Sequence, residues 1–205
     1  VLPHPVRPMM QRNSPSATRN ETSCSATKSP NFFVMFNQIY SEQPEIAALG
    51  AVDTSEEDLP LWRVFVRSIF WRGPFYDNRT YVNKFHAQLK GFVKTRTLSA
   101  GFMSCRRKVF EDIGFAHDLP GHVFAGDIDF SYRASLKYNI YLAPQLKVVH
   151  RGGLVRLYDL EEGERKRVHS RFYFFRKNVQ KTPKNMIAFL WLMVGTFIGA
   201  ISCLL

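Results

Sequence analysis

Two acids one residue apart, Asp127 and Asp129, stand behind Gly126 in GDIDFSYR, where a helical pattern begins. Such a pair suits three kinds of chemistry. A carboxylate at a helix start accepts backbone N–H groups and complements the helix dipole, so the pair can simply cap the helix. One cap needs only one acid, however, and a second adds repulsion unless a cation or a substrate proton answers it. An acid beside a basic cleft lined by small residues can take the proton from a hydroxyl nucleophile and serve as a general base. D-x-D pairs also bind metal ions through oxygen, though two acids alone are a weak signal of that.

The elements around the acids set where such chemistry would sit. TRTLSAGFMSCRR (95–107) reads as a strand with a small-residue kink at Ser99-Ala100-Gly101. KVFEDIGF is a short helical turn ending at Gly114. After the loop AHDLPGHVFAG and the acids come a helix, FSYRASLKYN, and a strand, IYLAPQLKVVH, that closes on His150. Upstream, NFFVMFNQIYSEQ (31–43) carries apolar residues at helical spacing and Pro44 stops it. EIAALGAVDT then reads as a buried strand with TSEED as its exit loop. The aromatic, basic middle predicts one amphipathic helix before Gly73-Pro74, packed on the domain or lying at a membrane surface, and an irregular loop after it. Helix alternating with strand implies an α/β domain with a mostly parallel sheet. Ligands in such sheets sit at the carboxyl ends of strands, where residues 99–101 and 121–129 would meet.

Composition bounds the rest. With 205 residues, 45% of them hydrophobic, the chain can bury one sizeable core with appendages. Residues 1–30 are rich in Ser, Thr, Asn and Pro without a hydrophobic period, and read as disordered or foreign to the domain. Residues 185–205 run uncharged for about the 20 positions a transmembrane helix needs. A buried core helix is the alternative. The preceding segment, ERKRVHSRFYFFRKNVQKTPK, is dense in Lys and Arg, which would keep that flank in the cytoplasm. No N-terminal stretch has the apolar core of a signal peptide. A net charge of +11 suggests phosphates, nucleic acid or an anionic membrane face. The basic residues crowd beside the apolar tail instead of forming a stripe with stacking aromatics, which sets nucleic acid aside. Three cysteines without CxxC spacing point away from a disulfide framework or zinc site. Asn20 and Asn78 match the glycosylation sequon, a match common by chance.

Taken in order, SAGFMSCRRKVFEDIGF, GDIDFSYR, YNIYLAPQLKVVH and SRFYFFRKN resemble the second half of family 2 glycosyltransferases with the GT-A (Rossmann-like) fold. The matched features are a small-residue strand leading to Arg106 and Arg107, an acid box followed by a helix with Arg133, a strand closing on a histidine, and a late R-x-Y-Y-x-x-R-N segment. The resemblance covers roughly residues 31–178. It implies a partial GT-A domain over 31–180, with the membrane helix at 185–205.

The roles below are those the resemblance implies. Asp127 is the base on the acceptor hydroxyl and Asp129 the acid that supports the site. Ser99, Ala100 and Gly101 line the donor sugar, where small side chains permit close approach. Arg133 belongs to the substrate-binding set. Arg171 and Arg176 face the diphosphate or an acceptor phosphate, with a solvated or membrane-facing role as the alternative. His150 lies near a divalent metal (Mg or Mn) and the diphosphate. The reaction would transfer a sugar from a nucleotide-sugar donor to a glycan or lipid-linked acceptor with inversion, in cell-envelope or polysaccharide synthesis. It would take place on the cytoplasmic face of an inner or plasma membrane. Two departures stand out. Gly126 occupies a position where the family usually has Glu, and residues 15–30 contain no Asp for the metal-holding D-x-D. The expectation is therefore a chain lacking the N-terminal donor-binding half, or with it replaced. A non-catalytic, membrane-attached binding module of the same fold is the alternative.

Overall fold

β1 (Ala48–Asp53) is the strand around which the domain is built. Its side chains alternate between two apolar layers, as the period of two requires. Ala48 and Val52 join Val82, Leu98, Ile140 and Leu142 on one face. Leu49 and Ala51 join Ile46, Ala143 and Leu146 on the other, beneath Met35, Phe36 and Ile39 of α1 (Phe32–Glu42). A strand covered on both faces must be apolar, and this one is from Ala48 to Val52, ending on the half-buried Asp53. Gly50 is needed by the packing, since a Cβ there would lie 2.7 Å from Leu98 Cδ2. The computed structural model describes residues 31–115, 126–149 and 160–204.

After β1 come α2 (Leu61–Phe70), α3 (Arg79–Phe85), β2 (Val93–Lys94), β3 (Met103–Cys105), α4 (Arg107–Ile113), α5 (Gly126–Ser135), β4 (Ile140–Val148), α6 (Leu160–Asn178) and α7 (Pro183–Leu204). The sheet order is β2-β4-β1-β3. β1 and β4 are parallel, whereas β3 on β1 and β2 on β4 are antiparallel. The sheet is thus mixed, which corrects the mostly parallel expectation. Parallel pairing needs a long crossover, which β1 and β4 have, but β3 and β2 pair antiparallel although long connections also lead to their partners. β2 and β3 are short edge strands separated by a single 3₁₀ turn at Ala100–Phe102. The β1–β4 register slips between Ala51/Ala143 and Val52/Lys147, across the stretch holding Pro144. Proline cannot donate to a ladder and is tolerated at such an irregularity.

Three further differences bear on function. The loop expected after Gly73-Pro74 contains α3, whose first N–H, from Arg79, donates to Asp77 Oδ1 at 3.0 Å. The basic flank expected before the apolar tail is a 19-residue helix, α6. α5 starts at Gly126, so both acids lie inside its first turn. α4 ends as expected at Gly114, where φ is +60° and a side chain would be strained.

α7 is the apolar C-terminal helix, with mean hydropathy 1.2 over Pro183–Ala200 and 22% of that window buried. One face is packed. Phe189 stacks on Phe175 of α6 at 4.2 Å, and Trp191 lies 4.9 Å from Phe70 of α2 and donates to Ile69 O at 3.1 Å. The opposite face exposes Ile187, Leu190, Val194 and Phe197 at helical spacing. Length and composition suit a bilayer, while the contacts from Phe189 to Thr196 tie the helix to α2 and α6.

Candidate functional site

Asp127 is fastened to the small-residue turn. Its Oδ2 accepts from the backbone N–H of Ala100 at 3.0 Å and its Oδ1 from that of Ile128 at 2.8 Å. One turn on, Ser131 Oγ accepts from Leu98 N at 2.9 Å and donates to Asp127 O at 2.6 Å. These bonds join residues 98–100 to the start of α5, so Ser99, Ala100 and Asp127 are held together as expected. Ala100 and Gly101 are exposed, and nothing lies within 4 Å of a Cβ built on Gly101.

Beside this turn, at the carboxyl end of β1, a cavity of about 230 Å³ is lined by Asp53, Ser99, Arg67, Asp77, Arg79 and Asn83 among others. Asn83 Oδ1 accepts from Asp53 N at 3.3 Å. Asp77 takes Nε and Nη2 of Arg79 at 3.1 and 2.9 Å and the Thr97 hydroxyl at 3.2 Å. Burial works against the Asp77 carboxylate, yet Arg79, with help from Arg67, more than offsets it and holds the group below the usual carboxylate range. Asp53, Asp77, Arg79 and Asn83 are absent from the expected set. The run DNR (77–79) is the signal that could have found them, since an acid directly before a helix start is a cap. Asn78 of the NRT sequon is buried and donates to Lys94 O at 3.0 Å, a setting closed to glycosylation in the folded chain.

Asp129 has a different role. It is fully buried and receives Nε and Nη2 of Arg133 at 3.0 and 2.8 Å and Nδ2 of Asn178 at 2.9 Å, with Lys177 Nζ at 3.6 Å. Arg133 also donates to the carbonyls of Ile113 and Gly114 at 2.6 and 2.7 Å. The pair therefore locks α5 to the end of α4 and to the end of α6. Among the described residues Asp129 lines neither the cavity at β1 nor the one beside Arg171. The Arg133 guanidinium, in the expected substrate-binding set, meets Asp129 and two carbonyls. Arg106 is likewise structural: it donates to Ile46 O and Tyr40 O at 2.8 and 2.7 Å and lies over the Tyr40 ring.

Arg171 lines a second, contiguous cavity of about 250 Å³ between α2, α6 and α7, which shares Arg67, Asp77 and Arg79 with the first. Arg176 is exposed and lines neither cavity. His150 lies outside the described residues. Among the described residues no group of three or more His, Cys, Asp or Glu side chains is placed to hold a metal ion. Asp53 and Asp77, the acids of the smaller cavity, are bonded to Ser55 and to Arg79 respectively, so these residues alone do not fit the divalent metal. Compared with protein-family models, curated proteins and solved structures, the chain matches none.

Proposed function

We propose that this chain carries the acceptor-side half of a membrane-attached, inverting glycosyltransferase, with Asp127 as the general base. One observation carries the reading. The Asp127 carboxylate is pinned to the Ala100 amide at 3.0 Å, beside a polar cavity at the carboxyl end of a parallel strand. Ligands of α/β sheets bind at that place, and a base must be held within reach of the proton it removes. The contact between Asp129 and Asn178 supports the same reading, because it joins two of the segments that carry the family resemblance.

In the proposed reaction the acceptor hydroxyl enters over residues 99–101 and gives its proton to Asp127. Its oxygen then attacks the anomeric carbon of a nucleotide-sugar donor as the nucleoside diphosphate leaves on the opposite side, which inverts the centre. Backbone amides orient the acid; Asp129, Arg133 and Asn178 hold the helix that bears it. α7 attaches the domain to an inner or plasma membrane with the site in the cytoplasm. Protease added outside right-side-out vesicles should then spare an epitope at Phe130.

The test is Asp127→Asn in the full-length enzyme. The amide keeps the size and can still accept one of the two backbone N–H groups, but it accepts no proton, so turnover at saturating donor should fall on the order of 10²–10⁴-fold with acceptor affinity little changed. Near-normal turnover would leave the acid as a helix cap. A second reading, a non-catalytic membrane-attached module, is favoured by one feature: both Asp127 oxygens already accept backbone N–H groups, as a cap alone would. Under it, Asp127→Asn changes stability only.

A further inference from the structure

The larger cavity holds more positive charge than its carboxylates answer. Four arginines line it: Arg67 from α2, Arg79 from α3, and Arg167 and Arg171 from α6. Asp77 pairs with Arg79, and Glu164, outside the lining, pairs with Arg167. Arg67 is bonded to the Thr80 hydroxyl, and Arg171 to the Thr196 hydroxyl of α7 with its guanidinium 4.7 Å from the centre of the Trp71 ring. Among the described residues neither is in an ion pair; Asp77 acts on Arg67 and Glu164 on Arg171 only at longer range, so four guanidiniums gather at one cavity around two carboxylates, each already paired with another arginine.

A guanidinium removed from water without a counter-ion is costly. Arg171 carries that cost: burial, then the nearby charges of Arg167 and Arg67, lower it to about 10, so it stays a cation at neutral pH. Such convergent arginines bind phosphates, whose oxygens take the two parallel N–H bonds of each fork. The volume, about 250 Å³, lies below the drug-sized range of roughly 300–1,000 Å³ and suits a small headgroup. The surroundings matter too. Leu192 of α7 forms part of the wall, α7 exposes an apolar stripe, and α2 exposes Leu61, Trp62 and Phe65. A phosphate at the level of lipid headgroups would meet this cavity directly.

We propose that the cavity between α2, α6 and α7 is a phosphate pocket in which Arg67 and Arg171 grip a phosphate or diphosphate, borne by a lipid headgroup or by a soluble nucleotide. The pocket stands whether or not the chain transfers a sugar, because its readout is binding.

Two binding arms identify the source. Full-length protein is titrated with inorganic pyrophosphate by calorimetry, and its flotation is measured with phosphatidylcholine vesicles with and without phosphatidic acid, all at one ionic strength. Arg171→Gln and Arg67→Gln are compared with Arg107→Gln, whose side chain is exposed on α4 and remote from the cavity. Each pocket variant should weaken binding about ten- to a hundredfold, as expected for the loss of a hydrogen bond to a charged group, with Arg107→Gln unchanged. Loss in the pyrophosphate arm supports the pocket and assigns a soluble diphosphate. Loss confined to the phosphatidic acid arm supports it and assigns a lipid phosphate. If Arg171→Gln lacks a cooperative thermal transition, Arg67→Gln, on an exposed position of α2, decides alone. Unchanged binding in both arms, or an equal loss with Arg107→Gln, overturns the proposal.

Discussion

Two arginine networks border α5 and α6, one around Asp129 and one around Arg171, and they differ in one respect. Around Asp129 the cations meet a carboxylate: Arg133 meets it and two carbonyls, Lys177 lies 3.6 Å from it, and Asn178 donates to its other oxygen. Around Arg171 the charges are met by a threonine hydroxyl and an indole face. A matched network holds three helices in place and has nothing left to offer a ligand. An unmatched one contributes little to the fold and has donors available. Polar residues at similar depth thus divide into those that position and those that bind, according to how fully their partners are satisfied.

The largest effect follows from the matched side. Asp129→Ala leaves the Arg133 guanidinium buried beside carbonyls with its counter-ion gone. Removing one partner of a buried pair typically costs about 3–5 kcal/mol, so the urea midpoint of the solubilised chain should drop sharply. Asp129→Asn should cost less, because the amide still accepts from Arg133. A loss below about 1 kcal/mol for Asp129→Ala, the level of an exposed ion pair, would show that the two networks are not different in kind.

A smaller effect tests how α7 is held beside them. A Cβ at Gly195 would lie 2.4 Å from both Cβ and Cγ of Phe70. Those atoms are the root of the ring and cannot swing away, so Gly195→Ala must push α7 off α2. Overpacking of this kind costs about 1–3 kcal/mol. The same shift would widen the cavity wall at Leu192 and draw Thr196 away from Arg171, so phosphate binding should weaken along with stability. Unaltered stability would mean that α7 is not seated on α2.

How legible this was differs along the chain. Residues 126–150 announced themselves: an acid pair before an apolar period, then a β-type run, became α5 and β4. The Asp129–Arg133 spacing of four is a readable helical ion pair, but the arrival of Asn178 from α6 is a tertiary event that local pattern does not encode. Strand direction was hidden for a similar reason. β2 and β3 contribute two and three residues, too few to show whether they run with or against β1. α3 escaped notice because its seven residues include aromatic and β-branched positions of modest helix propensity, and its start depends on Asp77. With α3 went the polar cavity, since Arg79 and Asn83 lie on that helix and Asp77 at its start.

Asp77 lines both cavities and makes a pH prediction of smaller size. Burial opposes its ionised form, but Arg79 and Arg67 favour that form more strongly and hold the carboxyl below the usual carboxylate range in the folded chain. The sign follows from linkage: this stabilisation is fully present above the unfolded value and is lost as pH falls through the depressed folded one. Acid unfolding of the wild type should therefore steepen below about pH 4. Asp77→Asn should flatten that limb while leaving the pH dependence near neutrality alone. An unchanged acid limb would mean that Arg79 does not hold the carboxylate in solution.

The smallest stability effect is the most discriminating, because here the absence of a loss is the expected result. Arg171→Met replaces a half-buried cation by an apolar chain of similar length. The variant gives up the hydroxyl of Thr196 and the Trp71 contact, and a cation over an aromatic face contributes about 0.5–2 kcal/mol. It also removes a desolvated charge and its repulsion with Arg167 and Arg67, the forces that lower its proton affinity. These terms oppose each other at similar size, so the urea midpoint should stay within about 1 kcal/mol of wild type, as replacing an unsatisfied buried charge often does. Pyrophosphate or phosphatidic acid binding should nevertheless fall. A midpoint loss as large as that of Asp129→Ala would make Arg171 a second structural clamp, and the cavity beside it would lose its claim on a phosphate.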